Sequence, residues 1–354
     1  MTPEQKRTQS AFSNSDHADS VVTIPYTTDN LSDIGSLIEP YRQELYLHCY
    51  RFLGSLHDAE DLVQETMLRA WQHFDTFKGA ASLRTWLYSV ATHACLDVLK
   101  KRSSRTLPVV GYPVAEPSGT LPLPNSEVLW LEPFPNTWLD KATYDPEAHY
   151  TKCESVSLAF LTALQLLPPR QRAILILSDV LDWRANEVAH LLGISVLAVN
   201  SALHRARVTL AKNYQRDERK MAQVNDTDPA TNVLLQRYMH AWETDDVVGL
   251  VALLKEDATL SMPPFTSWYK GREAIQSMLS LAAFDARKPR QWRLSLTGAN
   301  GQPAYVLYRE QKAKGVYQAF GIQLVTLNDA QITEITIFMT PTLLPFFDHF
   351  LHVF

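Results

Sequence analysis

The sequence predicts a multidomain chain, two all-α segments followed by an α+β domain, and three observations carry that prediction. Apolar residues recur at helical spacing from Asp33 to about Lys101 and again from Glu154 to about Arg219. Between these stretches Pro108, Pro113, Pro117, Pro122, Pro124, Pro133, Pro135 and Pro146 forbid long helices. After Ala230, helical turns give way to apolar–polar alternation with a period of two, the pattern of strands.

The chain has 354 residues, 46% hydrophobic and 20% charged, a composition that excludes wholesale disorder and allows two or three domains. Its formal net charge of -5 argues against a protein that coats nucleic acid, yet leaves room for local basic faces. No apolar run reaches the roughly 18–20 residues of a membrane span, and "MTPEQKRTQSAFSNSD" lacks the apolar core of a signal peptide. Cys49, Cys95 and Cys153 are far apart and have no metal spacing. A cytoplasmic location is expected, without membrane, metal or cofactor. Five segments follow: a polar, flexible tail (1–30), a helical domain (31–105), a linker (106–150), a second helical domain (151–221) and the α+β domain (229–354).

In the first helical domain, "DAEDLVQETMLRAWQHF" places Ala59, Leu62, Val63, Met67, Ala70, Trp71 and Phe74 on one stripe. Glu60, Asp61, Gln64 and Glu65 face away. The next helix, "SLRTWLYSVATHACLDVLKKRSSR", starts at a Ser82 cap and ends in Lys100, Lys101, Arg102 and Arg105. Trp86 shares its apolar face with Leu83, Leu87 and Val90, so its ring is either core or a surface for stacking.

The linker is acidic, with Glu116, Glu127, Glu132, Asp140, Asp145 and Glu147 against Lys141. Its stretch "SEVLWLEPFPNTWLD" carries Trp130, Phe134 and Trp138, which need an apolar partner.

The second helical domain holds "NEVAHLLGISVLAVNSALHRAR", which meets the needs of two tightly crossing helices. Ala189 is small where they touch, Gly193 tolerates the positive φ of the turn, and Val199 anchors the second helix. Val188, Leu192, Ile194, Ala202 and Leu203 complete a core, and Ser195 caps the second helix. Its free face presents Ser195, Leu197, Asn200, Ser201, His204 and Arg205, with Arg207 beyond, side chains able to read base edges and bind phosphate. An ordinary helical hairpin with a solvated basic face has the same pattern.

In the α+β domain, "RQWRLSLTG", "PAYVLYRE", "VYQAFGIQLVTL" and "QITEITIFM" read as strands with turns at 298–301 and 328–329, forming an antiparallel sheet under helices. "ATLSM" is a further strand after Asp257.

These motifs carry a resemblance. "LPPRQRAILILSDVLDWRANEVAHLLGISVLAVNSALHRAR" resembles region 4 of the extracytoplasmic-function sigma factors of the sigma-70 family, the helix-turn-helix module that binds the promoter -35 element. "DAEDLVQETMLRAWQHF" is similar to region 2.2, which docks on the β′ clamp helices of RNA polymerase. The helix after it is similar to regions 2.3 and 2.4, which open and read the -10 element, with Phe77–Ala81 where relatives hold a flipped base. The matches cover roughly 33–215. This chain has Asn200 and Ala202 where many relatives carry Lys and Arg, and His93 where they often carry Asn. "QRYMHAWETDDVVGLVALLKEDATLSMPPFTSWYKGREAI" looks like the opening of a SnoaL-like cone barrel of the NTF2 type, and one sigma subgroup pairs that domain with a comparable "WLEP" linker.

The resemblance implies an alternative sigma factor with core RNA polymerase (β′ clamp helices and β subunit) and promoter DNA as partners. It implies -35 contacts from Ser195, Asn200, Ser201, His204, Arg205 and Arg207, and -10 contacts from Arg84, Trp86, Tyr88, Lys100, Lys101 and Arg102. Polymerase contacts fall on Asp61, Gln64, Glu65 and Leu68. No enzymatic activity is expected, and the C-terminal domain is expected to regulate in cis, with an anti-sigma factor or a small-molecule ligand as further candidate partners. The alternative is a DNA-binding regulator whose SnoaL-like domain is an enzyme or metabolite sensor. Its candidates for proton abstraction are His240, Asp257, Tyr269, Tyr308 and Arg309.

Overall fold

Ser55, Ser82, Ser157 and Ser195 each accept a backbone N–H three residues on, and these caps set where the major helices begin. The computed structural model describes residues 31–79, 81–118, 122–139, 152–214, 229–284, 291–311, 315–328 and 330–347. The N-terminal tail, the linker's 140–150 and residues 215–228 lie outside them. The first domain comprises α1 (Leu31–Ile38), α2 (Arg42–Leu53), α3 (Leu56–Gln72) and α4 (Leu83–Leu99). The second has α5 (Leu158–Gln165), α6 (Pro169–Leu175, continued by a wider turn over Ile176–Val180), α7 (Ala185–Leu192) and α8 (Val196–Asn213).

The third domain packs α9 (Pro229–Glu243), α10 (Val247–Ala252) and α11 (Arg272–Met278) on six strands: β1 (Leu254–Ser261), β2 (Trp268–Lys270), β3 (Trp292–Ala299), β4 (Gln302–Glu310), β5 (Tyr317–Asn328) and β6 (Gln331–Phe338). Their order is β2-β1-β6-β5-β4-β3. The expected antiparallel sheet is mixed: β1 and β6 run parallel, with Leu260 opposite Ile335. After β2 the chain crosses to the far edge and meanders back through β3 to β6, so β6 reaches β1 in the same direction.

Alternation divides this sheet between two cores. Tyr305, Leu307 and Val325 face the helices and join Tyr238, Trp242 and Trp292 in one apolar cluster. Ala304, Val306, Tyr308, Ile322 and Leu324 face the other way and belong to a cluster that also contains Tyr50, Leu131, Phe134, Val156 and Leu161. The outer face of the sheet is therefore continuous with the core of both helical domains, rather than solvated. Burial on both faces removes apolar area that a free-standing domain would expose.

The linker doubles back. Thr106 N–H donates to Leu129 O at 3.0 Å and Leu131 N–H to Thr106 O at 3.0 Å, while Ala115 N–H reaches Trp268 O at 2.8 Å. Its aromatic stretch then lies between the first and third domains. Phe134 sits on Tyr46 and Tyr50 with ring centroids 6.1 and 4.7 Å away, and Trp138 packs edge-on against Tyr46 at 4.7 Å. The Glu132 carboxylate receives Leu56 N–H at 2.7 Å, Ser55 Oγ at 2.9 Å and His57 N–H at 3.3 Å, placing negative charge at the N-terminus of α3. Gly54, at φ 65°, makes room for this: a Cβ there would collide with Leu131.

Candidate nucleic-acid interface

The helix-turn-helix is built from the bottom by its turn. Gly193 adopts φ 63°, Ser195 Oγ accepts Ala198 N–H at 3.2 Å, and the chain turns through 103° between α7 and α8. Ile174, Leu177, Val188, Ala189, Val199 and Ala202 form its buried core. On the outer face Ser195, Asn200, Ser201, His204 and Arg205 are all exposed. Arg207 is exposed too, but its guanidinium holds Asp179 at 2.6 and 3.0 Å, which raises its pKa.

The basic end of α4 has a different environment. Arg102 and Arg105 both reach Asp58 in the first turn of α3, at 2.7 and 2.5 Å. Burial acts against the Asp58 charge, yet hydrogen bonds from Arg102 and Arg105 win and hold its carboxyl below the ordinary range. Lys100 pairs with Asp97 at 2.9 Å, and Lys101 is exposed. Trp86 is half-buried, with Phe77 at 5.5 Å and Phe74 at 6.0 Å, so its ring belongs partly to the core.

Tyr88 differs most from the expectation. It is 3% exposed, packs on His48 at 4.8 Å and faces Trp183 of the second helical domain at 6.2 Å. Its hydroxyl donates to Glu44 at 3.1 Å, the carboxylate that also takes Arg84 at 2.8 Å. Burial raises the Tyr88 phenol pKa. Tyr88 is therefore not open to a base in this arrangement, whereas Arg84 is exposed but paired with Glu44.

On α3, Asp61, Gln64 and Leu68 are exposed, and Glu65 is half-buried with Arg69 at 2.7 Å. Trp71, assigned to the apolar stripe, is instead 43% exposed beside Leu68 at 49%. Its position, three residues after Leu68 and seven after Gln64, was the signal that it shares their face.

The helical domains meet through buried cations. Arg172 on α6 donates to Phe52 O at 2.6 Å and to Gln165 Oε1 at 3.0 Å, and Arg51 on α2 donates to Ser155 Oγ at 2.7 and 3.1 Å. Burial lowers each guanidinium to about 10. At the hairpin tip Asn300, fully buried at φ 53°, the amide donates to Tyr50 Oη at 2.9 Å and Val156 O at 2.6 Å and accepts Phe134 N–H at 2.8 Å. One side chain thus joins all three domains and the linker. The sequence marked Asn300-Gly301 as a turn, and nothing local signals the further role.

The candidates for proton abstraction do not converge. His240, Asp257 and Arg309 are exposed, Tyr269 lies in the inner core of the third domain, and Tyr308 lies in the core shared with the helical domains. Among the described residues no cluster of His, Cys, Asp or Glu could hold a metal ion, and no single helix is long and apolar enough to cross a membrane.

Family models for Sigma-70 region 2, Sigma-70 region 4 and a SnoaL-like domain match residues 37–105, 157–210 and 235–335. The ECF RNA polymerase sigma factor SigG of Mycobacterium tuberculosis is 44% identical over 316 residues, covering 89% of this chain and 83% of the relative. The chain belongs to the ECF sigma factors of RNA polymerase. The RNA polymerase sigma factor YlaC of Bacillus subtilis is 30% identical over 180 residues, 51% of this chain and 91% of YlaC. The crystal structure of the extracytoplasmic function sigma factor SigJ of M. tuberculosis has the same fold order. It superposes with a TM-score of 0.52 at 22% identity and covers 88% of this chain and 98% of SigJ. This sigma factor therefore binds core RNA polymerase and promoter DNA, and its two helical domains are regions 2 and 4.

Proposed function

We propose that this sigma factor divides promoter engagement among the three surfaces and that its C-terminal domain regulates them in cis without chemistry of its own. Ser195, Asn200, Ser201, His204, Arg205 and Arg207 face the -35 element. Trp86, Arg84, Lys100, Lys101 and Arg102 serve the -10 element, with Tyr88 as a further stacking surface once uncovered. Asp61, Gln64, Glu65 and Leu68, extended by Trp71, dock on the β′ clamp helices, where acidic and apolar side chains complement a basic helical partner. The cytoplasm, where polymerase works, is its place of action.

The Asn300 joint carries the regulatory part of this reading. It fastens the third domain to α2 and to the start of region 4, while Trp183 covers Tyr88. Such an arrangement holds the two DNA-binding modules in one orientation and keeps part of the -10 surface covered, so promoter engagement requires it to loosen. The scattered positions of His240, Asp257, Tyr269, Tyr308 and Arg309 support a regulator over an enzyme.

In vitro transcription with core polymerase tests this. Asn300→Ala removes the side-chain bonds to three segments, and promoter output should rise several-fold while core binding persists. Output equal to that of the unmodified chain across promoters would overturn regulation by this joint.

A further inference from the structure

The first turn of α8 is apolar where it meets solvent. Leu197 is 77% exposed and Val196 44%, and Ala198 beside them is also exposed. Leu197 belongs to none of the three hydrophobic clusters of described residues. Its position is well defined, because the Ser195 cap, the Gly193 turn and the fully buried Val199 fix where the helix starts and which way it faces. Spacing puts Leu197 on one stripe with Asn200, Ser201 and His204.

That stripe is continuous with the DNA-binding face of region 4, and in a helix-turn-helix the N-terminal residues of the second helix contact base edges. A large apolar side chain at that point finds one apolar feature in the major groove. It is the C5-methyl group of thymine, which no other standard base carries. We propose that Leu197 is a specificity-determining residue that packs on the methyl group of a thymine in the -35 element. The inference rests on α8 being the recognition helix, and it adds an apolar contact to the polar readers Asn200 and His204.

The test uses holoenzyme made from the full chain and a duplex library randomised over the -35 region. Holoenzyme should select an A·T pair, thymine on either strand, at a position where Leu197→Ala holoenzyme selects none. Replacing that thymine by deoxyuridine removes only the methyl group and should weaken binding by unmodified holoenzyme about fourfold, the effect of burying one such carbon, while leaving Leu197→Ala unchanged. Selection without an A·T preference that depends on Leu197, or equal effects of deoxyuridine on both proteins, would overturn the proposal. Weaker binding of Leu197→Ala to core polymerase without DNA would overturn it too, since the partner would then be protein. An Asn200→Ala arm separates the two levels: altered selection there alongside failure at Leu197 leaves the recognition helix standing and removes only the methyl contact.

Discussion

The side-chain amide of Asn300 donates to the hydroxyl of Tyr50 at 2.9 Å, across 250 positions of sequence. The same hydroxyl donates to the carbonyl of Glu132 at 2.6 Å, so hairpin, helix and linker meet at one buried polar point. Tyr50→Phe keeps the ring and its packing on Phe134 but leaves the Glu132 carbonyl without this donor. An orphaned buried group costs about 1–3 kcal/mol. Urea unfolding should show a lower midpoint with an unchanged slope.

Polymerase binding should depend on α3. Asp61→Lys with Glu65→Lys reverses charge opposite the buried stripe and should abolish binding to core polymerase, with the helical circular dichroism of the unmodified chain. Trp71→Ala should weaken binding as well, because interface aromatics of this kind often carry a large share of affinity. Full holoenzyme assembly by the double variant would show that the clamp docks elsewhere.

At the -35 element, Asn200 and His204 lie one turn apart on the exposed face of α8. Replacing either with Ala should weaken a selected site by about 1–3 kcal/mol and relax the preference at one position. Equal losses on selected and scrambled duplexes, measured by fluorescence anisotropy, would mark them as phosphate-positioning contacts.

Acid should weaken the region 2 fold through His48. Burial, followed by the Arg51 and Arg84 charges, pushes its imidazole down to about 3. In the unfolded chain it titrates near about 6.5, so between these values the unfolded state binds more protons. The stabilisation is complete above about pH 6.5 and is lost progressively as pH falls toward the folded value. His48→Gln should flatten the pH dependence of stability in that window, as read by urea midpoints at about pH 7 and about pH 5. An unchanged slope would show that His48 is not the group responsible.

What the sequence determined by itself was local. Ser82 and Ser195 cap helices, Gly193 and Asn300-Gly301 take positive φ, and Val199 anchors the second helix of the motif; each depends on contacts a few residues away. The family motifs lie in these same stretches, so sigma regions 2 and 4 were legible. Tertiary structure decided what each surface faces. Trp71 and Tyr88 are both aromatic residues on amphipathic helices, yet one turns outward and the other is covered by Trp183. "PAYVLYRE" reads as one strand of the alternating sheet, yet both faces of β4 are buried, Tyr305 and Leu307 in the inner core and Ala304, Val306 and Tyr308 in the core shared with the helical domains. Asn300 reads as a turn residue and becomes a joint, because its partners Tyr50, Phe134 and Val156 come from three distant segments. Periodicity records which side of an element avoids water, whereas the identity of the surface that replaces water depends on chain crossings far apart in sequence.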